Sequence, residues 1–221
     1  MSVQLIQTED GSSSLINLGL NETYHSTHGA IQESKHVFIE SGLKPFLVSE
    51  KNELSILEIG FGTGLNVLLT VLAAQQYSTK IYYEAVEAFP LENGIITTLN
   101  YPQLLQAETL FQEIHQSHWN EVEKIADNFK LNKRATKLEE AVFEYEKFDL
   151  IYFDAFAPAK QPEMWELRVL TKITSAMKPN GIFVTYCAKG QVRRDLISLG
   201  LTVEKLPGPP GKREMIRAKK I

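Results

Sequence analysis

The sequence of 221 residues predicts a doubly wound α/β fold on a mostly parallel sheet that closes on an antiparallel strand. Three observations predict it. Short apolar, β-branched runs alternate with helical stretches of roughly 10–15 residues. One of those runs, "LSILEIG", leads straight into the glycine-rich turn "FGTGLN". The last two strands, in "LTVEKLPGPPGKREMIRA", are joined by a Pro/Gly loop with no helix between them, so they pair antiparallel.

Taken in order, residues 3–20 predict a strand, the turn "EDGSSS" and a second strand. Residues 29–41 predict a helix that ends at Gly42, with Pro45 soon after. "LSILEIG" is a buried strand and "VLLTVLAAQQ" the helix behind it; "KIYYEAVEAF" is the next strand. Residues 90–128 predict mostly helix, on apolar Leu104, Leu105, Leu110, Phe111, Ile114, Trp119 and Val122. Then come strand "FKLNKRATKL", helix "EEAVFEY", strand "FDLIYFDAF" and helix "EMWELRVLTKITSAM". The turn and strand "KPNGIFVTYC", helix "GQVRRDLISLG" and the closing strand pair complete the chain. The organisation expected is one domain over 1–221, with an N-terminal extension over 1–50 and a helical insertion around 101–128.

Composition is that of a globular domain with a full core: 43% hydrophobic and 23% charged residues. Polar "QTEDGSSS" stands where a secretion signal would need an apolar segment, and no apolar run reaches the length of a membrane span. The single Cys187 rules out an intrachain disulfide and a cysteine-based zinc site, so the expected place is the cytoplasm. Net charge is −4, unevenly placed: from Lys189 onward nine bases face three acids, leaving −10 on the rest. That end is either a solvated surface or an anion-attracting one suited to a phosphate-bearing partner.

The stretch "LEIGFGTGLN" points to a cofactor. A chain leaving a buried strand must turn sharply and lay its backbone against the ligand, which favours glycine. A dinucleotide fingerprint needs glycine at position 65, where this chain has leucine. The spacing of Gly60, Gly62 and Gly64, with Glu58 two residues before, suits S-adenosylmethionine, whose α-ammonium wants a carboxylate and whose carboxylate wants backbone N–H groups. Phe61 and Asn66 complete the turn. Glu87, ending the second strand 23 residues after Gly64, is placed for the ribose hydroxyls, with Glu84 the lesser candidate. With the closing antiparallel strand, these features predict a class I S-adenosylmethionine-dependent methyltransferase (Rossmann-like) fold of seven strands.

The segments "ETYHSTHGAIQESKHVF", "LEIGFGTGLN", "FDAFAPAKQPEMW" and "PGPPGKREM" together resemble the methyltransferase domain of the bifunctional tRNA 5-methylaminomethyl-2-thiouridine biosynthesis enzymes. The likeness covers nearly the whole chain. It leaves no residues for the flavin-dependent oxidase domain of those enzymes, so it is a likeness to a stand-alone methyltransferase. The resemblance implies methyl transfer from S-adenosylmethionine to the primary amine of 5-aminomethyl-(2-thio)uridine at the tRNA wobble position, after a separate enzyme has produced that amine. Where the family tends to carry a Gly-Asp pair against the adenine, this chain has "ATKLEEAV", with Thr136 in place of the aspartate.

Under that reading Asp154 and Phe156, at the end of the fourth core strand, are the catalytic pair, and Asp154 also borders the cofactor. An alkylamine has a pKa of about 10, and presenting it neutral at pH 7 costs about 4 kcal/mol. A carboxylate of pKa near 4 is a poor base for it, so Asp154 is expected to orient the amine and balance its developing charge. Phe156 stacks on the uracil or walls the methyl path, and Pro158 fixes the loop. Tyr24, Pro158, Lys160, Lys212 and Arg213 form the expected substrate set, the last two against tRNA phosphates. The plainer readings are a turn acid for Asp154, core packing for Trp165, packing for Tyr24 and a solvated hairpin tip for Lys212 and Arg213. His25, His28 and His36 lack ligand geometry, and no metal is expected. The competing functions are a small-molecule amine N-methyltransferase, a polyamine aminopropyltransferase (whose turn carries an acid where Thr63 stands) and a non-catalytic S-adenosylmethionine- or RNA-binding module.

Overall fold

The most apolar runs of the sequence become the middle of an eight-stranded sheet. The computed structural model of the chain describes residues 2–49 and 51–221. The N-terminal strands β1 (Val3–Gln7), β2 (Ser13–Asn17) and β3 (Glu22–Thr23) form a separate antiparallel sheet. The main sheet comprises β4 (Glu53–Ile59), β5 (Lys80–Glu87), β6 (Val122–Ala126), β7 (Phe129–Ala135), β8 (Phe148–Phe153), β9 (Met177–Thr185), β10 (Leu201–Pro207) and β11 (Glu214–Lys220). Its order is β10-β11-β9-β8-β4-β5-β7-β6. The five strands from β9 to β7 run parallel to one another, and β11 enters antiparallel between β9 and β10, as expected.

Strand pleating sorts the core into two layers. Along β4, Leu54 and Ile56 join one apolar cluster, and Leu57 and Ile59 the other. Along β8, Leu150 and Tyr152 face the first, and Ile151 and Phe153 the second. Helix α3 (Leu65–Ala74) contributes to the first cluster, and α7 (Leu167–Ser175) and α8 (Gly190–Ser198) to the second. Glu58 and Asp154 fall in the phase of the first layer, on the α3 side of the sheet.

Three sequence expectations give way to tertiary forces. After the short α4 (Asn93–Ile96), the segment 101–128 is helical only through α5 (Tyr101–Leu105) and α6 (Glu108–Gln116). It ends in β6, which pairs antiparallel with β7 across Asp127 and Asn128, so the sheet has eight strands rather than seven. The stretch "EEAVFEY" forms no helix. Lys172 Nζ collects the carbonyls of Leu138, Glu139 and Ala141 at 2.7–3.0 Å, and Arg134 takes that of Val142 at 3.0 Å, so these acceptors serve other donors.

The helix begun at Ala30 does not stop at Gly42. It runs as α1 (Ala30–Ser34), widens into a π-helical stretch (Lys35–Leu43) and ends as α2 (Lys44–Val48). Pro45 would orphan the Ser41 carbonyl, which receives Arg217 Nη1 at 3.4 Å. Gly42 is needed for close packing: a Cβ there would lie 3.1 Å from Val184 and 3.2 Å from the Tyr152 ring. Among the described residues no helix is long and apolar enough to cross a membrane.

This close approach makes Gly42 a sensitive position. Gly42→Ala should cost about 1 kcal/mol, and Gly42→Leu about 3 kcal/mol or more through overpacking against the sheet. Urea unfolding of the two variants checks the order.

Candidate functional site

β4 lies in parallel register between its neighbours, with Glu58 opposite Ala85 of β5 and Tyr152 of β8, so three strand ends open on one crevice. The turn that follows takes left-handed backbone at Gly60, Gly62 and Gly64, with φ of +92°, +50° and +73°. At Gly60 the need is also steric: a Cβ would lie 2.7 Å from the Asp154 carbonyl, so only glycine lets this turn touch the end of β8. The Gly62 N–H donates to Glu87 Oε2 at 3.0 Å and the Phe89 N–H to Glu87 Oε1 at 2.9 Å, which fixes the Glu87 carboxylate at the end of β5.

Asn66, in the first turn of α3, joins the two acids. Its amide Nδ2 donates to Glu58 Oε1 and to Asp154 Oδ2, each at 2.9 Å. Glu58 is fully buried, and burial, with Asp154 and Glu87 nearby, pushes its carboxyl well above the usual range. Asp154 is pushed up to about 7, first by burial and then by Glu33; the Asn66 bond and Lys212 oppose the rise. Glu58 Oε2 and Asn66 Oδ1 are buried polar atoms without a hydrogen-bond partner among the described residues.

The glycine turn is also braced from behind. Phe61 packs edge-on against His115 and Trp119 at 5.5 Å, and Lys133 Nζ lies 4.9 Å from the Trp119 ring and 5.6 Å from that of Phe61. Lys133, which burial holds down to about 8, donates to the carbonyls of Ile114 and His115 at the end of α6. His115 Nε2 donates to the Thr63 carbonyl at 3.2 Å, and its ring occupies the space a Gly64 Cβ would need.

The opposite wall comes from the chain ends. Tyr24 stands edge-on to Phe156, ring centroids 5.1 Å apart, and lies against Gly62. Burial, then Glu87, keeps the Tyr24 hydroxyl protonated. Trp165 Nε1 donates to the Phe156 carbonyl at 2.8 Å while its ring packs on Phe153, so it is a core residue that also pins the loop. Tyr186 donates to the Ala155 carbonyl at 2.9 Å. Lys212 lies over the Tyr186 ring at 3.8 Å, paired with the buried Glu33 at 2.5 Å.

These walls enclose a cavity of about 930 Å³. Of the expected site residues, Gly60, Phe61, Gly62, Asn66, Glu87, Asp154, Phe156, Tyr24 and Lys212 line it, as does Thr136. Glu58 stands one layer behind, acting through Asn66, and Gly64 packs on His115 instead. Pro158, Lys160 and Arg213 are not on the wall; Lys160 is tied to the Asn21 carbonyl at 2.9 Å. Lys212 is turned inward to Glu33, away from the phosphate contact expected of it. Glu33 and Tyr186 are the residues sequence reasoning missed. His25, His28 and His36 go to separate partners: Ser14 and Thr63, Glu9, and the Pro207 carbonyl.

The residues fit S-adenosylmethionine. The turn presents bare backbone at Gly60 and Gly62, the Glu87 carboxylate stands at the end of β5, and on the wall Asn66 keeps a buried Oδ1 without a partner among the described residues. A carboxyl raised to about 7 also halves the mismatch that argued against Asp154 as a proton acceptor.

Comparison with known proteins agrees. A family model for S-adenosyl-L-methionine-dependent methyltransferases matches residues 103–221. The tRNA 5-methylaminomethyl-2-thiouridine biosynthesis bifunctional protein MnmC of Leptospira borgpetersenii is 32% identical over 210 residues, covering 90% of this chain and 32% of that protein. Its counterpart from Aromatoleum aromaticum is 29% identical, over 98% of this chain and 35% of that protein. The chain thus spans about a third of the length of these relatives. Among solved structures, MNMC2 from Aquifex aeolicus superposes with a TM-score of 0.81 at 25% identity, covering 98% of this chain and 69% of that one. Spermidine synthase from Thermotoga maritima, at 0.54 and 15% identity over 99% and 72% of the two chains, shares the fold.

The raised Asp154 carboxyl carries a stability signature. Its folded pKa of about 7 exceeds the unfolded value of about 3.9, so the protonated carboxyl contributes its full stability below about pH 4 and that contribution is lost as pH rises through 7. Ionisation costs at most about 4 kcal/mol. Asp154→Asn should therefore raise the melting temperature more at pH 8 than at pH 5, measured by thermal denaturation.

Proposed function

The chain belongs to the S-adenosyl-L-methionine-dependent methyltransferases, and we propose that the group it methylates is the primary amine of 5-aminomethyl-(2-thio)uridine at the tRNA wobble position. The observation that carries this reading is Asp154, a carboxyl of pKa near 7, beside Phe156 and Tyr24 on the wall of the cofactor cavity. The printed function of the relatives, biosynthesis of tRNA 5-methylaminomethyl-2-thiouridine, supports the choice of substrate.

S-adenosylmethionine, when bound, supplies a methyl group activated on a sulfonium. The chain's residues do the rest. Glu87 takes the ribose hydroxyls, and the backbone of Gly60, Phe61 and Gly62, with Asn66, holds the amino-acid end. Glu58 fixes the Asn66 amide from behind. Phe156 and Tyr24 present aromatic faces to the uracil and exclude water from the amine.

The amine must reach the methyl group with its lone pair free. Moving its proton from a pKa of about 10 to a carboxylate of about 4 is uphill by about 8 kcal/mol; with Asp154 near 7 the cost falls to about 4 kcal/mol. Desolvation in the closed cavity lowers the amine's own pKa and narrows the gap further. Asp154 Oδ then accepts the proton, and once that proton has passed on to solvent the carboxylate faces the nitrogen as positive charge builds there.

A basic rim supports tRNA as the carrier of this amine. Lys205, Lys212, Arg217 and Lys220 are neutralised by Glu214, Glu33, Glu204 and Glu146. Lys189, Arg193, Arg194 and Arg213 stay exposed and make no ion pair among the described residues. Arg213 and Arg193 both act on Glu214, behind the Lys205 bond that holds it below its usual range, so they share one neighbourhood.

Nucleoside mass spectrometry of tRNA from a deletion strain tests the reading: the 5-aminomethyl nucleosides should accumulate, and unchanged nucleosides would refute it. In vitro, kcat/KM should fall below about pH 7 as Asp154 takes up its proton, and Asp154→Asn should cost about 100-fold or more in kcat. Arg193→Glu with Arg213→Glu should raise KM for tRNA about tenfold at moderate salt and flatten its salt dependence, with kcat little changed.

A further inference from the structure

Glu33 and Lys212 are more than a chance pair at the cavity wall. Glu33 projects from α1, buried, and its Oε2 accepts the Ser26 N–H at 2.6 Å. Its Oε1 receives Lys212 Nζ from the loop between β10 and β11. The same ammonium rests on the Tyr186 ring, whose hydroxyl is bonded to the carbonyl of Ala155, the residue next to Asp154. A continuous chain of contacts therefore runs from the amine-facing loop, through Tyr186 and Lys212, to Glu33 and the N-terminal segment. Opposite charges are each anchored by a second contact, and both line the cavity that Asp154 lines.

We propose that the Glu33–Lys212 ion pair is a positioning and tuning device for Asp154. Its two fixed charges set the pH at which that carboxylate takes up a proton from the incoming amine, an inference that rests on the amine reading above. Glu33 favours the protonated carboxyl and Lys212 the ionised one, so the pair sets a point between them. The other groups facing Asp154 are Glu58 on β4, which shares the Asn66 amide, Tyr83 on β5 and Tyr186 after β9. Burial keeps both tyrosines protonated, so neither supplies a charge.

The test is a carboxyl-carbon NMR titration of protein labelled at aspartate, with Asp154→Asn identifying the resonance. It needs neither cofactor nor substrate. Glu33→Gln should lower the Asp154 midpoint by about 0.5 pH unit or more, because a negative neighbour is gone and the lysine stays. Adding Lys212→Met to that variant should raise the midpoint again, and Lys212→Arg alone should leave it near that of the parent protein. These opposite displacements are not what simple loosening of the fold produces. An unmoved or raised midpoint in Glu33→Gln, or a double variant no higher than the single one, overturns the proposal. In turnover the acid limb of kcat/KM should move with the midpoint; a limb that stays put while the midpoint moves also overturns it. If the midpoints move as expected and the aminomethyl nucleoside is never methylated, the tuning of Asp154 stands and the substrate reading falls.

Discussion

Two carboxyl groups at the ends of adjacent parallel strands share one amide, and the rest of the site depends on that arrangement. Glu58 and Asp154 are brought together by the register of β4 on β8, and Asn66 donates one N–H to each. Burial raises both carboxyls, with Asp154 adding to the rise at Glu58 and Glu33 to that at Asp154, so each clings to its proton. The consequence is chemical. A group that would otherwise be fully ionised near neutrality becomes one that exchanges a proton there. Gly60 belongs to the same constraint, because any side chain at that position would push the turn off the end of β8 and separate the acids from their amide.

The remaining walls divide the work by origin. The cofactor side is made by the turns after β4 and β5, which carry Gly60, Gly62 and Glu87. The opposite side is made by Tyr24, Ser26 and Glu33 near the N-terminus, the loop after β8, Tyr186, and Lys212 near the C-terminus. The bracing behind the glycine turn, with Lys133 on the end of α6 and His115 on the Thr63 carbonyl, fixes the cofactor side from behind.

The sequence made the core of this arrangement legible because its signals are local. The glycines, Glu58, Glu87 and Asp154 all stand at ends of apolar runs, where a polar residue has no packing purpose. Glu33 and Tyr186 were hidden because each sits inside an ordinary pattern, one in an amphipathic helix and one at the end of a strand; only the tertiary fold turns them to the cavity. Lys212 was noticed for the wrong neighbour, since its partner lies 179 residues away. The missing helix at "EEAVFEY" has a similar cause, a distant Lys172 competing for carbonyls. The hairpin of β6 and β7 was legible and passed over: "VEKIA" and "FKLNK" alternate on either side of Asp127 and Asn128.

Methyl transfer to a primary amine on tRNA, as proposed for this chain, can be read directly. The direct measurement is to incubate the purified protein with methyl-labelled S-adenosylmethionine and a tRNA anticodon stem-loop carrying 5-aminomethyluridine, then digest and weigh the nucleosides. Label is expected on the exocyclic amine, giving the 5-methylaminomethyl nucleoside, with loss of that product in Asp154→Asn. Label on a ring or ribose atom, or a parent protein that leaves the aminomethyl nucleoside unlabelled while methylating a free small-molecule amine, would contradict it.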